Sequence, residues 1–256
     1  MTNTYKHSGS FGDLIYSLPL VKHFGGGEFY LHLNQIDWIG LHYYGSKPIP
    51  FHQGRLTQQD YEFIRTFMLA QPYISTFNVL DKTSEISHNL DRFRPLFVGH
   101  PGNYIDIYAS AFGIDDPAIR TMLRTTPWLL VPSPKRSADK SVVINRTARW
   151  VPSQPPQQWE LWKHNGIDKR SIFLGLPEEY EQFKKQIGWD IPYQPTNTML
   201  ELAEYIAGAD KFIGNQSVAL SIAIGLGKEY HCEERRDIPR DRSECYFVNQ
   251  SGGYYF

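Results

Sequence analysis

Short apolar runs alternate with longer amphipathic runs along the second half of the chain. The short runs are rich in β-branched and other apolar residues and predict buried strands at residues 141–145, 171–176 and 211–216. The longer runs have helical periodicity and predict helices at residues 157–163, 177–183, 198–208 and 217–227. Strands that alternate with helices in this way favour a parallel sheet covered by helices on both faces.

The first half of the chain is less regular, but its apolar spacing still predicts several elements. One helix face is formed by apolar residues between Leu14 and Phe24, and the run of glycines at 25–27 ends that helix. A strand is predicted at residues 29–33, after the polar first strand at residues 1–7, and two further helices at residues 61–69 and 104–112.

A proline-rich segment at residues 127–140 separates the two halves and is typical of a linker. We therefore expect an N-terminal α/β domain at residues 1–134 and a C-terminal α/β domain at residues 135–256. In open α/β sheets ligands bind beyond the carboxyl ends of the strands. We expect two such sheets to face each other across one cleft.

Composition narrows the class of protein. The chain has 256 residues with 26 basic and 27 acidic side chains, and its net charge of −1 gives no global attraction to nucleic acid or to an anionic membrane. It has two cysteines without a metal-binding spacing, a polar start, and no apolar run approaching the ~20 residues that span a bilayer. These features indicate a soluble, cytoplasmic protein.

Asp13 lies in the segment SGSFGDLIYSLP, at the junction between a turn of small residues and an apolar helix. A carboxylate at such a junction often serves only as the helix N-cap. It can also face a ligand cleft, where free backbone N–H groups are available. Both interpretations remain open for Asp13 at this point.

Two further polar segments follow predicted strands of the second half. The loop NRTARW, residues 145–150, provides the guanidinium groups of Arg146 and Arg149 and the hydroxyl of Thr147, which suit a diphosphate. The N–H groups near Ser217 and Val218, at the start of an apolar helix, would add further donors. Taken singly, each segment is also compatible with a solvated loop or an ordinary strand exit.

These segments resemble a known family. Residues 8–19 are similar to the N-terminal GD…LP signature of the heptosyltransferase-like glycosyltransferases, the ADP-heptose:lipopolysaccharide heptosyltransferase type, and residues 212–228 resemble the donor helix of that family. The loop at 145–150 falls where the family holds the donor phosphates. The resemblance implies a GT-B fold, with two Rossmann-like domains facing across a cleft.

The resemblance also implies an activity: metal-independent transfer of a sugar, with inversion, from a nucleotide diphosphate to an acceptor hydroxyl. Asp13 would be the general base, and the nucleotide sugar would be a co-substrate with no other cofactor. The implied donor-binding residues are Gly12, Arg146, Thr147, Arg149, Glu178, Asn215, Gln216, Ser217 and Val218. Glu179 is an alternative to Glu178 as an acceptor of ribose or base hydrogen bonds.

The sequence departs from the family at positions that contact the donor sugar. Ser221 stands near the family's donor-helix histidine, and Asn215 stands where an aspartate often occurs. The donor nucleotide and sugar are therefore left open, as is the oligomeric state.

A saccharide is the favoured acceptor. The arginines between residues 229 and 244 leave a hydroxymethylated base of DNA as a second possibility. A catalytically silent nucleotide-sugar-binding module and a nucleotide-sugar epimerase also remain open.

Overall fold

The computed structural model describes residues 2–34, 43–44, 47–48, 56–96, 103–137, 139–234 and 253–256; of Arg149 and of residues 43–44 and 47–48 it describes the backbone. These residues divide into two compact units, the first ending at Leu130 and the second beginning at Val131. The division falls inside the proline-rich segment predicted as the linker, a few residues before the predicted boundary at 134. Each unit is described below by itself.

The first unit combines strands and helices that alternate along the chain. In chain order its elements are β1 (Thr4–His7), α1 (Phe11–His23), β2 (Gly27–Leu31), β3 (Tyr43–Tyr44), β4 (Lys47–Pro48), α2 (Gln58–Leu69), β5 (Ile74–Val79), β6 (His88–Asn89), a 3-10 helix (Leu90–Leu96), α3 (Tyr104–Ala111) and α4 (Pro117–Thr125). Four of the strands form a parallel sheet in the order β5-β2-β1-β6, while β3 and β4 pair with each other in antiparallel fashion.

α1 is deeply enclosed in the first unit. Every residue from Leu14 to Val21 is buried, so the two middle turns of the helix are covered on all sides, whereas Lys22 and His23 at its end are exposed. It follows β1 directly, and in β1 Tyr5 and His7 are buried while Thr4 and Lys6 are partly exposed. Because the middle of α1 is tightly packed, its first turn, which carries Asp13, has little freedom to move.

The second unit repeats the alternation of strands and helices. Its elements are β7 (Val142–Asn145), a 3-10 helix (Ala148–Trp150), α5 (Gln158–His164), a 3-10 helix (Asp168–Arg170), β8 (Ser171–Leu174), α6 (Pro177–Ile187), β9 (Tyr193–Gln194), α7 (Met199–Gly208), β10 (Lys211–Asn215), α8 (Val218–Gly225), β11 (Glu229–Glu233) and β12 (Gly253–Tyr255). The six strands form one parallel sheet in the order β12-β11-β10-β7-β8-β9.

Aromatic side chains dominate the core on one side of this second sheet. Trp159 of α5 is 1% exposed, and its ring contacts those of Trp162, Phe183, Trp189 and Phe256 edge-on, at centroid distances of 5.4 to 5.7 Å. Edge-on packing places the positive ring edge against the negative ring face and is favourable. The cluster fixes α5 and α6 against the strands and thereby holds the sheet's carboxyl end.

The predicted α/β class with parallel sheets is confirmed in both units. The predicted strand at 29–33 lies at Gly27–Leu31, and the helix predicted at 177–183 continues to Ile187. The helix predicted at 217–227 ends at Gly225. Several short elements were not predicted, namely the 3-10 helices, α4, β3, β4, β5, β6, β9, β11 and β12.

Gly25 and Gly26 provide a matched test of the turn between α1 and β2. Both have left-handed backbones, with φ of +89° and +72°, but a Cβ at Gly26 would lie 2.1 Å from the Tyr73 carbonyl oxygen whereas one at Gly25 would meet nothing within 4 Å. We expect Gly25→Ala to lower the free energy of unfolding by about 1 kcal/mol, the cost of a left-handed alanine. Gly26→Ala should cost at least about 2 kcal/mol because overpacking adds to that cost. Equal losses in urea denaturation would contradict the turn as described.

Candidate functional site

Asp13 lies at the third position of α1, just beyond the carboxyl end of β1. The N-cap of α1 is Ser10, which makes no side-chain cap hydrogen bond, so the interpretation of Asp13 as the N-cap is wrong. The Asp13 carboxylate instead faces Arg94, with Oδ2 3.6 Å from Nη1. The Asp13 side chain is 15% exposed, which leaves it within reach of a ligand.

Arg94 belongs to the 3-10 helix Leu90–Leu96 and links two carboxylates. Its Nε donates to Asp91 Oδ1 at 3.1 Å, and Asp91 also accepts from the hydroxyl of Ser8 at 2.8 Å and lies 3.9 Å from the Lys6 ammonium. Burial lowers the pKa of Arg94, but the neighbouring carboxylates of Asp13 and Asp91 raise it by more. Arg94 therefore stays charged between two acids.

A chain of three hydrogen bonds reaches Asp13 from the other side. The Gly9 N–H donates to His7 Nδ1 at 2.9 Å, His7 Nε2 lies 2.8 Å from the Tyr108 hydroxyl, and that hydroxyl donates to the Asp13 carbonyl at 3.0 Å. Burial, followed by the charge of Arg94, lowers the pKa of His7 to about 3. His7 is therefore a neutral, fully buried side chain.

Because Gly9 has no side chain, His7, Asp13 and Arg94 can pack closely around it. A Cβ at Gly9 would lie 2.3 Å from Arg94 Nη2, 2.7 Å from His7 Cε1 and 2.8 Å from Asp13 Oδ2. At Gly12, which the sequence assigned to donor binding, a Cβ would meet nothing within 4 Å. The close approach thus occurs at the glycine that sequence reasoning did not single out.

The carboxyl end of the second sheet brings together several of the predicted donor-binding residues. Asn215 is fully buried and its amide pairs with the backbone of Thr147, accepting from the N–H at 2.9 Å and donating to the carbonyl at 2.8 Å. Asn145 accepts from the Ser217 hydroxyl at 2.8 Å and donates to the Leu174 carbonyl at 2.8 Å. The ends of β7, β8 and β10 and the start of α8 are thereby tied into one polar network.

Arg146 occupies a different environment from the one its sequence position suggests. Its guanidinium is buried and forms a two-point ion pair with Glu233, at 2.6 Å from Nε and 3.1 Å from Nη2, and it also bonds Gln186. Trp159 Nε1 donates to the same carboxylate at 3.0 Å. A donor phosphate would have to compete with this buried carboxylate for the guanidinium.

The remaining predicted residues of the second unit are placed as follows. Gln216 and Val218 flank Ser217 at the start of α8 and are partly buried, Glu178 is exposed in the first turn of α6, and the side chain of Arg149 lies outside the description. Glu179 accepts from the Leu176 N–H at 3.0 Å, and burial raises the pKa of its carboxyl group. Of the two glutamates, Glu178 is the one open to solvent.

The sequence analysis missed several residues of these two sites. They share one property, which is that each makes its contacts with a segment far away in the sequence. In the first unit they are His7, Gly9, Asp91, Arg94 and Tyr108, and in the second Glu233. Only Gly9 carried a local signal, as part of the small-residue turn before α1. The others stand in polar or aromatic stretches whose partners lie far away in the sequence.

Within the described ranges, no group of three or more histidine, cysteine, aspartate or glutamate side chains is arranged to hold a metal ion. In the same part of the chain, no helix is long and apolar enough to cross a membrane.

Two α/β units, each built around a parallel sheet, match the fold of solved GT-B-like heptosyltransferase structures. The chain is similar to the glycosyl transferase family 9 structure from Veillonella parvula, with a TM-score of 0.62 and 10% identity over 99% of this chain and 84% of that one. It is also similar to the E. coli heptosyltransferase WaaC solved with ADP-2-deoxy-2-fluoro heptose, with a TM-score of 0.54 and 11% identity over 100% of this chain and 93% of that one. A third match is E. coli ADP-heptose lps heptosyltransferase II, with a TM-score of 0.53 and 12% identity over 100% of this chain and 90% of that one.

These similarities confirm the predicted resemblance at the level of the fold. No protein-family model matches the chain, and no curated protein matches it.

The buried histidine predicts a pH dependence of stability. The pKa of His7 is about 3 in the folded protein and about 6.5 when unfolded. The contribution of His7 to the free energy of unfolding is therefore complete above pH 6.5 and is lost as the pH falls below that value. Between pH 7.5 and 5.0 the loss amounts to about 2 kcal/mol. We expect urea denaturation to show this loss in wild type and not in His7→Asn, which cannot titrate. Identical losses in the two proteins would show that His7 is not buried in the neutral form.

The Arg146–Glu233 pair predicts that replacing either of two glutamates of β11 has very different effects on stability. Glu233→Ala should lower the free energy of unfolding by about 3–5 kcal/mol, because it leaves a buried guanidinium without its carboxylate. Glu229→Ala removes an exposed partner of Lys211 and should cost at most about 1 kcal/mol. Similar midpoint shifts for both variants in urea would contradict this assignment.

Proposed function

We propose that this protein is an inverting, metal-independent glycosyltransferase that moves a sugar from a nucleotide diphosphate to an acceptor hydroxyl, with Asp13 as the general base. The observation that carries the proposal is the Asp13 carboxylate, which stands at the carboxyl end of β1 and is oriented by Arg94 at 3.6 Å. The fold shared with known glycosyltransferases supports the same class of reaction.

The reaction proposed for this site is a single displacement. The acceptor oxygen attacks the anomeric carbon while its proton passes to the Asp13 carboxylate, and the bond between that carbon and the diphosphate oxygen breaks. The bonding electrons leave with the nucleoside diphosphate. Attack from the face opposite the leaving group inverts the anomeric configuration.

We assign donor binding to the polar network at the carboxyl end of the second sheet. Thr147 and Ser217 are partly exposed there and offer hydroxyl groups, and the buried Asn215 holds the backbone of Thr147 in place. The backbone N–H groups from Gln216 to Val218, where α8 begins, suit the charge that develops on the diphosphate. One of the similar structures was solved with a nucleotide diphosphate sugar, which supports a donor of that class.

The charged residues near that network take different roles in this proposal. Because Arg146 is engaged by Glu233, we assign it to holding the loop and leave the positive charge toward the diphosphate to Arg149. Glu178 is exposed and remains the proposed acceptor of ribose or base hydrogen bonds.

We propose a saccharide as the acceptor. The net charge of −1 argues against a DNA substrate, for which a positive surface supplies most of the affinity. The arginines that suggested a hydroxymethylated DNA base are Arg235, Arg236, Arg240 and Arg242, and they lie outside the described residues.

The proposal is tested by nucleoside diphosphate release from a panel of ADP-, UDP- and GDP-sugars, each with saccharide and hydroxymethylated-DNA acceptors. We expect Asp13→Asn to lower kcat at least about 100-fold, which is the scale of general base catalysis, with donor binding unchanged. Asp60→Asn is the matched control because Asp60 is a partly exposed acid at the third position of α2, where it accepts from Thr57. It should leave kcat unchanged.

Two results would contradict the proposal. Turnover by Asp13→Asn at the wild-type rate would remove the general base. Donor binding in a thermal-shift assay, without turnover for any acceptor, would favour the silent binding module instead.

A further inference from the structure

We infer that His7 and Tyr108 are positioning residues for Asp13, which hold its main chain through the chain of hydrogen bonds that starts at Gly9. This inference rests on the proposed function, because it gives these two buried side chains a part in placing the proposed base. In these hydrogen bonds neither side chain contacts the Asp13 carboxylate. Tyr108 donates to the backbone carbonyl of Asp13 instead.

The direction of this chain of hydrogen bonds follows from the groups at its two ends. The Gly9 N–H can only donate, so His7 Nδ1 must be the acceptor, and a neutral imidazole then carries its proton on Nε2. That proton points to the Tyr108 hydroxyl 2.8 Å away. The hydroxyl uses its own proton for the Asp13 carbonyl, which can only accept. One arrangement of protons therefore satisfies all three contacts.

The charges around His7 keep the imidazole in that state. His7 is fully buried and Tyr108 is 1% exposed. The charged side chains that act on His7 are Arg94, Asp13 and Lys6, and the two cations oppose its protonation. A second ring proton would also place Nδ1–H against the Gly9 N–H. The chain of hydrogen bonds thus keeps one direction throughout the neutral pH range.

Asp13 is held at two points by elements outside α1. Tyr108 of α3 bonds its carbonyl at 3.0 Å, and Arg94 of the 3-10 helix faces its carboxylate at 3.6 Å. A general base must lie within hydrogen-bond reach of the proton it takes, and displacements of about 1 Å at a reacting group can cost 100-fold in rate. The bond to the carbonyl fixes the place from which the side chain reaches out.

Tyr108→Phe removes the hydroxyl that joins His7 to Asp13 and keeps the ring. We expect this variant to lower kcat about 10- to 100-fold, with KM for the donor within about twofold of wild type. Tyr61→Phe is the matched control, because Tyr61 is also a buried tyrosine of the first unit that donates to a backbone carbonyl, that of Phe77 at 2.9 Å. It should destabilise the protein to a similar degree and leave kcat within about twofold.

A spectroscopic measurement tests the chain of hydrogen bonds without any turnover. In ¹⁵N NMR spectra of wild type we expect the His7 signals of a ring protonated at Nε2 and not at Nδ1, unchanged from pH 5 to 8. A signal from the other tautomer, or titration of His7 near neutral pH, would overturn the inference.

The possible outcomes separate this inference from the proposed function. If Asp13→Asn retains wild-type turnover, the general base is wrong and the proposed function fails, whatever the NMR spectra show. If Asp13→Asn is inactive but Tyr108→Phe keeps the wild-type kcat, the proposed function stands and the positioning role is wrong. An equal loss of kcat in Tyr61→Phe would also overturn the positioning role, since the effect would then be general destabilisation.

Discussion

The burial of charged and polar groups at the carboxyl end of β1 is the constraint on which the first unit depends. Asp91 is fully buried and Arg94 is 6% exposed, and an unpaired charge at either position would cost several kcal/mol. The chain meets this constraint by joining Arg94 to Asp91 and Asp13 and by keeping His7 neutral. Asp13 is the member that remains partly exposed, so the same pairing that stabilises the fold also presents a carboxylate to solvent.

The second unit uses a buried ion pair for a different purpose. Glu233 ends β11 and Arg146 follows β7, and between these strands lies β10, so their contact crosses the carboxyl end of the sheet. The pair is shielded from water, and it holds the start of the loop that carries Thr147. Arg146, which resembles a phosphate ligand in the sequence, is thus paired with a buried carboxylate, while Thr147 and Ser217 remain partly exposed.

Much of the fold could be predicted from the sequence, because its signals are local. The apolar runs that became β7, β8 and β10, the helix starts predicted at Thr198 and Ser217, and the glycines after α1 each act within a few residues of the chain. The elements that were missed lack such signals. β11 has the sequence EYHCE, in which a glutamate stands at each end and a histidine in the middle, and β9 has only two residues.

The site was predictable only in part for the same reason. Asp13 stands in a motif that can be read locally, whereas Arg94 and Tyr108 reach it from more than 80 residues away. Nothing in their own segments identifies Asp13 as their partner. Arg146 shows the converse, since a local pattern suggested a diphosphate ligand and the structure pairs its guanidinium with a glutamate far away in the sequence.

The most direct test of the central claim, that Asp13 acts as a general base, is the pH dependence of kcat in wild type and in Asp13→Asn. A general base must be ionised to accept the acceptor's proton, so wild-type kcat should fall on the acid side as one group binds a proton. The residual activity of Asp13→Asn should lack that ionisation. An acid limb of the same shape and midpoint in both proteins would contradict the assignment of Asp13.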